Sequence, residues 1–106
     1  MPEEFVKVAK AGQLPPGRMM LVELGRFERI LVVNLEGAYY AVEEICPHSG
    51  AALSEGMLYG EEVECPLHGS AFRLKTGEVV SPPCQEDLIV YQVRVEGDDI
   101  LLGPKA

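Results

Sequence analysis

Apolar runs of strand length recur at both ends of this chain, separated by short polar turns. The runs with a strand-like pattern are Phe5–Ala9, Met19–Leu24, Arg29–Leu35, Ala38–Ile45, Leu88–Val95 and Ile100–Leu102. In the run from Leu88, alternation predicts one apolar face made of Ile89, Tyr91, Val93 and Val95. Glu36-Gly37 predicts a two-residue hairpin turn, and no segment has a helical period of useful length. The pattern predicts an all-β fold, a small antiparallel sandwich or barrel.

The middle of the chain differs in composition from both ends. Residues 46–60 are rich in Gly, Pro, Ser and Ala, and residues 65–70 form a second compact loop candidate. A chain of 106 residues is long enough for one modest core and too short for two. We therefore expect a single domain, residues 1–106, with a base made of 1–45 and 72–106. A loop-rich subdomain of about 46–71 is inserted in it, and loops on a rigid scaffold are where function usually lies.

Four residues in these two loops are candidate ligands. Each loop supplies one cysteine and one of the chain's only two histidines, and together they are Cys46, His48, Cys65 and His68. Cys46 and His48 are two residues apart, so in an extended segment both can face one site. Cys65 and His68 need a tight turn, which the intervening proline and the following glycine favour. Gly50 and Gly69 also allow backbone N–H groups to come close to whatever the ligands hold.

Three interpretations of the Cys and His residues remain open at this level. They could be ordinary core residues, the four ligands of a structural zinc, or the ligands of a binuclear cluster. Common zinc patterns place like ligands together, whereas each loop here pairs one Cys with one His. That mixed pairing suits a cluster in which one metal takes both cysteines and the other takes both histidines. The third cysteine, Cys84, lies away from both loops and is interpreted as a small packed hydrophobic residue.

The two loops resemble the cluster-binding boxes of the Rieske [2Fe–2S] family. The matching segments are Cys46-Pro-His-Ser-Gly-Ala-Ala-Leu-Ser-Glu-Gly56, Cys65-Pro-Leu-His-Gly-Ser-Ala-Phe72 and Thr76-Gly77. The tail from Ser81 to Val95 is similar to that of soluble Rieske ferredoxins. The resemblance implies one [2Fe–2S] cluster, with the two Cys on one iron and the two His on the other.

The resemblance also assigns roles to neighbours of the ligands. The Ser70 hydroxyl is expected to donate a hydrogen bond to a bridging sulfide. Membrane-anchored Rieske subunits carry a disulfide at the positions of Ala51 and Leu67 and a tyrosine at that of Phe72. This chain has neither the two cysteines of that disulfide nor the tyrosine. We therefore expect a ferredoxin rather than a subunit of a cytochrome complex.

The expected function is that of an electron carrier rather than an enzyme. Catalytic subunits of Rieske oxygenases also hold a mononuclear iron on two further histidines and a carboxylate, and no further histidine exists here. No glycine-rich nucleotide motif is present either. The resemblance implies a one-electron shuttle from a reductase to an oxygenase or another terminal oxidoreductase. Two alternatives stay open: a small Rieske-like subunit of an assimilatory nitrite reductase, and a zinc-stapled structural or interaction module.

The charge distribution adds an expectation about partners. A formal net charge of −8 argues against nucleic acid and anionic membrane surfaces and favours a partner with a basic face. No Lys or Arg occurs between Arg29 and Arg73, while that stretch holds Glu36, Glu43, Glu44, Glu55, Glu61, Glu62 and Glu64. The stretch is interpreted either as a docking surface or as a merely solvated acidic face. With no secretory signal and no apolar stretch of bilayer length, we expect a cytoplasmic protein.

Overall fold

The fold consists of two antiparallel sheets. The computed structural model describes residues 5–24, 28–47, 50–67, 69–82 and 85–106. The strands within these ranges are β1 (Val6–Lys10), β2 (Met19–Leu24), β3 (Glu28–Leu35), β4 (Ala38–Glu43), β5 (Met57–Tyr59), β6 (Glu62–Glu64), β7 (Ala71–Arg73), β8 (Val90–Glu96) and β9 (Asp99–Lys105). The only helical elements in these ranges are two single 3₁₀ turns, Ala11–Gln13 and Leu53–Glu55. The predicted all-β, antiparallel fold is confirmed.

The larger sheet has six strands and forms the base. Its order is β1-β9-β8-β4-β3-β2, and every neighbouring pair is antiparallel. The β3–β4 hairpin closes at Glu36 and Gly37, with φ of 52° and 96°. Positive φ at both central residues is the geometry of a two-residue type I′ turn. The hairpin predicted from Glu36-Gly37 is therefore present.

Strand β3, between β4 and the edge strand β2, is buried on both faces and separates two cores. Ile30 and Val32 pack with residues of β8 and β9 on one side. Leu31 and Val33 face a second core, which we call the site core, and it comprises Leu31, Val33, Val42, Cys46, Leu53, Val63, Cys65, Phe72, Leu74 and Leu88. Both candidate cysteine ligands thus belong to the layer that joins the base to the smaller sheet.

Two strands of the smaller sheet lie in the region that was expected to be loops, and the third, β7, begins at its end. Its order is β5-β6-β7, and Leu58, Val63 and Phe72 are paired across it. Each strand has only three residues, which is too short for a period-2 pattern to be recognised in the sequence. The two loops that carry the cysteines are consequently held by a sheet of their own.

The predicted apolar face of the β8 region is wrong at its two ends. Tyr91 is buried, but Ile89 is 39% exposed and Val95 is 40% exposed. Ile89 precedes the strand, and its amide donates a hydrogen bond to a carboxylate oxygen of Glu43. The pairing register with β9 also shifts between Tyr91 and Val93, which interrupts the alternation.

No helix in the described part of the chain has the length and apolar character required to cross a bilayer.

Candidate metal centre

The two cysteine loops have the same backbone hydrogen-bond pattern. In the first, the Cys46 amide donates to the Ala51 carbonyl at 2.8 Å, and the Gly50 amide donates to the Cys46 carbonyl at 2.9 Å. In the second, the Cys65 amide donates to the Ser70 carbonyl at 2.7 Å, and the Gly69 amide donates to the Cys65 carbonyl at 3.2 Å. Each cysteine is therefore tied to the residues four and five positions later, which closes a compact turn at the end of a strand.

A glycine with left-handed backbone completes each turn. Gly50 has a φ of 76° and Gly69 a φ of 77°, values that side-chain-bearing residues rarely adopt. An added Cβ would meet no atom within 4 Å at either position, so backbone conformation rather than space requires glycine here. The φ of Gly69 agrees with the conformational freedom expected of it in the second turn, whereas the close approach of backbone N–H groups to a bound group at both glycines stays a prediction.

The two cysteines lie at the bases of their loops, within the protein interior. Cys46 is 1% exposed and Cys65 is 2% exposed, and no disulfide joins them. The segment above Cys65 is open to solvent, because Pro66 and Gly69 are exposed and Leu67 is 62% exposed. His48, His68 and the third cysteine, Cys84, lie outside the described residues.

The two expected ligands that the structure describes, Cys46 and Cys65, fit an iron–sulfur cluster. Two buried thiols on two matched turns supply the soft ligands that such clusters take. Among the residues described, no three His, Cys, Asp or Glu side chains converge to hold a lone metal ion. The thiols thus supply half of the expected ligand set, and the histidine half rests on the sequence.

Phe72 and Ser70 are the two residues to which the family resemblance assigned roles beside the ligands. Phe72 is fully buried at the centre of β7 and belongs to the site core together with both cysteines. Ser70 is also fully buried, and its carbonyl closes the second loop. Any polar interaction made by the Ser70 side chain is therefore shielded from water.

Close backbone packing joins the first loop to the second. A Cβ on Gly56 would lie 1.9 Å from the carbonyl oxygen of Glu64, the residue before Cys65. The segment that follows β7 is in turn hydrogen-bonded to β7, since the Val80 amide donates to the Ala71 carbonyl at 2.8 Å. The two loops and this segment form one packed unit.

Glu44, two residues before Cys46, is not a surface charge. The sequence placed it in the acidic stretch, but its side chain is fully buried. Arg29 Nε donates to Glu44 Oε1 at 3.1 Å, and the Ser54 hydroxyl donates to Oε2 at 2.5 Å. The signal for its burial was present, because alternation puts Glu44 on the same face as the buried Val42.

The remaining carboxylates of the stretch differ in exposure. Glu36, Glu55 and Glu61 are exposed, whereas Glu43, Glu62 and Glu64 are half-buried. Glu61 forms an ion pair with Lys75 at 3.5 Å. The acidic surface is thus smaller than the sequence count indicates.

Comparison with known proteins identifies the family. The Rieske [2Fe–2S] domain model matches residues 4–92. The ferredoxin component of biphenyl 2,3-dioxygenase from Rhodococcus jostii (strain RHA1) is 41% identical over 98 residues, covering 92% of this chain and 91% of the relative. A chain from the complex of reduced oxygenase and oxidised ferredoxin in carbazole 1,9a-dioxygenase is 35% identical, with a TM-score of 0.92, covering 96% of this chain and 95% of that one.

A second group of similar structures is assigned a different role. A Mycobacterium tuberculosis protein assigned as the small subunit of an NADH-dependent nitrite reductase is 26% identical, with a TM-score of 0.87. The similarity covers 100% of this chain and 99% of that protein. Because the matching family takes one [2Fe–2S] cluster and the similar ferredoxins are electron carriers of dioxygenase systems, the zinc alternative is set aside. This chain belongs to the Rieske [2Fe–2S] family and is an electron-transfer protein, not itself a catalytic enzyme.

Proposed function

We propose that this chain passes single electrons from a reductase to an oxygenase, using a cluster ligated by Cys46, His48, Cys65 and His68. The observation that carries the proposal is the pair of matched turns, each with a buried cysteine at its base. The bound cluster supplies a centre that accepts and returns one electron at a time. Similarity to dioxygenase ferredoxins supports an oxygenase as the acceptor.

The two kinds of ligand have different positions in this proposal. Cys46 and Cys65, both buried, hold the inner iron, and the two histidines hold the outer one. The exposed surface at Pro66, Leu67 and Gly69 supports the placement of the outer iron towards the partner. Electrons then enter and leave at the tip of the loops, on the histidine side.

The surroundings of the ligands tune the site in this proposal. The Ser70 hydroxyl would donate a hydrogen bond to cluster sulfur, and buried Phe72 would exclude water from the cysteine side without offering a donor of its own. Gly50 and Gly69 allow the two turns to present their amides to the cluster. Burial of Ser70 and Phe72 supports these roles, because water cannot compete for a hydrogen bond there.

The proposed partners dock through basic surfaces, and the protein works in the cytoplasm. The net charge of −8 and the absence of any Lys or Arg between Arg29 and Arg73 support a basic docking face. Half-buried Glu43, Glu62 and Glu64 lie within three residues of Cys46 or Cys65, and exposed Glu55 lies within the first loop. A reducing compartment suits cysteines that ligate iron.

A single-turnover experiment tests the acceptor. The chemically reduced chain is mixed anaerobically with the oxygenase component of carbazole 1,9a-dioxygenase, and reoxidation of the chain is followed by its visible absorbance. We expect one electron to leave each chain, and His48→Ala, which lacks a proposed ligand, to deliver none. If the reduced chain transfers no electron to this oxygenase component or to those of other dioxygenases, the proposal is contradicted.

The nitrite reductase alternative keeps one specific support, the whole-length structural similarity to the assigned small subunit. A subunit of that kind stays bound to its enzyme, whereas a shuttle dissociates after each transfer. Affinity purification of the chain from its own cells separates the two functions. Recovery of a stoichiometric complex with a large nitrite reductase subunit would favour the alternative.

A further inference from the structure

Glu44 is the only fully buried carboxylate in the described part of the chain, and it is fully hydrogen-bonded. Arg29 Nε donates to Oε1 at 3.1 Å, while the hydroxyl and the amide of Ser54 donate to Oε2 at 2.5 and 3.3 Å. Removing a carboxylate from water is strongly unfavourable unless a counter-charge and donors replace the water. The Arg29 side chain is 41% exposed, and an ion pair that is open to solvent on one side is weak evidence for stability. Its presence here calls for a role other than stability.

The hydrogen bonds of Glu44 to β3 and to Leu53 and Ser54 indicate that role. Its amide donates to the Arg29 carbonyl at 2.9 Å, which ties it to β3. Its carbonyl accepts the Leu53 amide at 2.8 Å, and its carboxylate holds Ser54. Glu44 and Leu53–Ser54 stand on either side of the turn that carries Cys46. Glu44 therefore connects the chain on both sides of the Cys46 turn to β3 of the base sheet.

We propose that Glu44 is a positioning residue of the iron–sulfur site. It fixes the Cys46 loop through Ser54, and its ion pair with Arg29 sets the electrostatic environment of the inner iron. The inference rests on the proposed function only in that Cys46 ligates the cluster.

The charge of Glu44 matters because it lies inside the protein. Charges that are not exposed to solvent are screened far less by salt and water than surface charges. The carboxylate disfavours the addition of an electron nearby, and the guanidinium of Arg29 opposes that effect. Removing either partner alone should therefore shift the midpoint potential, in opposite directions for the two partners.

The test compares Glu44→Gln with Glu23→Gln as a matched control. Glu23 is the other carboxylate bound by Arg29, at 3.3 Å from its Nη1, and its side chain is 61% exposed. We expect Glu44→Gln to raise the midpoint potential and to change the EPR signal of the reduced protein. Glu23→Gln, which removes the same charge from solvent, should leave both as in the wild type. Equal and negligible shifts in the two variants would overturn the proposal.

Ser54→Ala tests the mechanical part separately from the charge. It removes the short hydrogen bond to Glu44 and keeps the ion pair. We expect a faster loss of iron to a chelator and a potential shift smaller than that of Glu44→Gln. An unchanged rate of iron loss would contradict the loop-fixing role.

Two substitutions at Arg29 keep the test decisive if Glu44→Gln does not assemble a cluster. Arg29→Lys retains the positive charge, whereas Arg29→Gln leaves the carboxylate without its counter-charge. We expect Arg29→Gln to have the lower midpoint potential of the two, and equal potentials would overturn the proposal.

A wild type that contains no iron or sulfide would refute the proposed function itself. A loaded wild type whose variants behave like Glu23→Gln would refute only the role of Glu44.

Discussion

At the scale of single residues, Phe72 decides which hydrogen bonds the cluster can receive. Its ring is fully buried in the same core as Cys46 and Cys65, and it has no donor. We expect Phe72→Tyr to raise the midpoint potential, because a hydroxyl directed at a ligand sulfur stabilises the reduced form. One such bond, worth about 1 to 1.5 kcal/mol, corresponds to roughly 40 to 65 mV for a one-electron couple. Redox titration monitored by EPR measures the shift.

Ser70→Ala is the complementary change and should lower the potential by a similar amount. The wild-type potential itself should lie toward the low end of the Rieske range of about −150 to +300 mV. The lack of a tyrosine at Phe72 and of cysteines at Ala51 and Leu67 both point that way. A wild-type potential near the top of the range, or two variants without any shift, would contradict this account of the site.

The role of a residue could be predicted where it depends on a short local motif, and not where it depends on a partner distant in sequence. The cysteine loops and their glycines follow from short motifs, and the left-handed φ at Gly50 and Gly69 agrees with that prediction. Alternation with Val42 indicates a buried position for Glu44, but its ion-pair partner Arg29 is fifteen residues away. No local pattern indicates that a buried carboxylate will find such a partner.

At the scale of elements, strand length decided which strands could be predicted. The bounds of β2 agree with the sequence prediction, and those of β3 agree to within one residue. Both strands are long enough to show a continuous apolar run or an alternation. The three-residue strands β5, β6 and β7 become strands through pairing with one another, which is a property of the folded chain.

The joint between the two loops can be tested by one added methyl group. A Cβ on Gly56 would lie 1.9 Å from the Glu64 carbonyl oxygen, and backbone atoms cannot move aside easily. We expect Gly56→Ala to lower the free energy of unfolding by about 1 to 3 kcal/mol, as overpacking does, and to reduce cluster occupancy. Urea denaturation and iron content measure the two effects.

Gly12→Ala is the matched control for that substitution. A Cβ on Gly12 meets no atom within 4 Å, and Gly12 does not have a positive φ. Its stability and iron content should match those of the wild type. If Gly56→Ala behaves like Gly12→Ala, close packing at Glu64 does not hold the loops together.

At the scale of the whole molecule, the acidic charge should govern association with partners. Electron-transfer rates with the partner should fall as salt rises, because exposed charges are screened over about 8 to 10 Å near physiological ionic strength. We expect the double variant Glu55→Gln and Glu62→Gln to slow association and to weaken the salt dependence. Stopped-flow kinetics at several salt concentrations measures both effects.

Glu36→Gln is the charge-matched control for docking. Glu36 is exposed at the β3–β4 turn, at the opposite end of β4 from the Cys46 loop. It should leave the association rate close to that of the wild type. Rates that are indifferent to salt and to Glu55 and Glu62 would mean that the acidic surface only solvates the protein.

The histidine ligation is the central claim, and the chain offers an unusually clean measurement of it. His48 and His68 are its only histidines, so ¹⁵N-labelled histidine marks these two residues and no others. We predict that electron–nuclear double resonance of the reduced, labelled protein shows two histidine nitrogens coupled to the cluster. Absence of histidine nitrogen coupling, or a protein that contains equimolar zinc and no sulfide, would contradict the account.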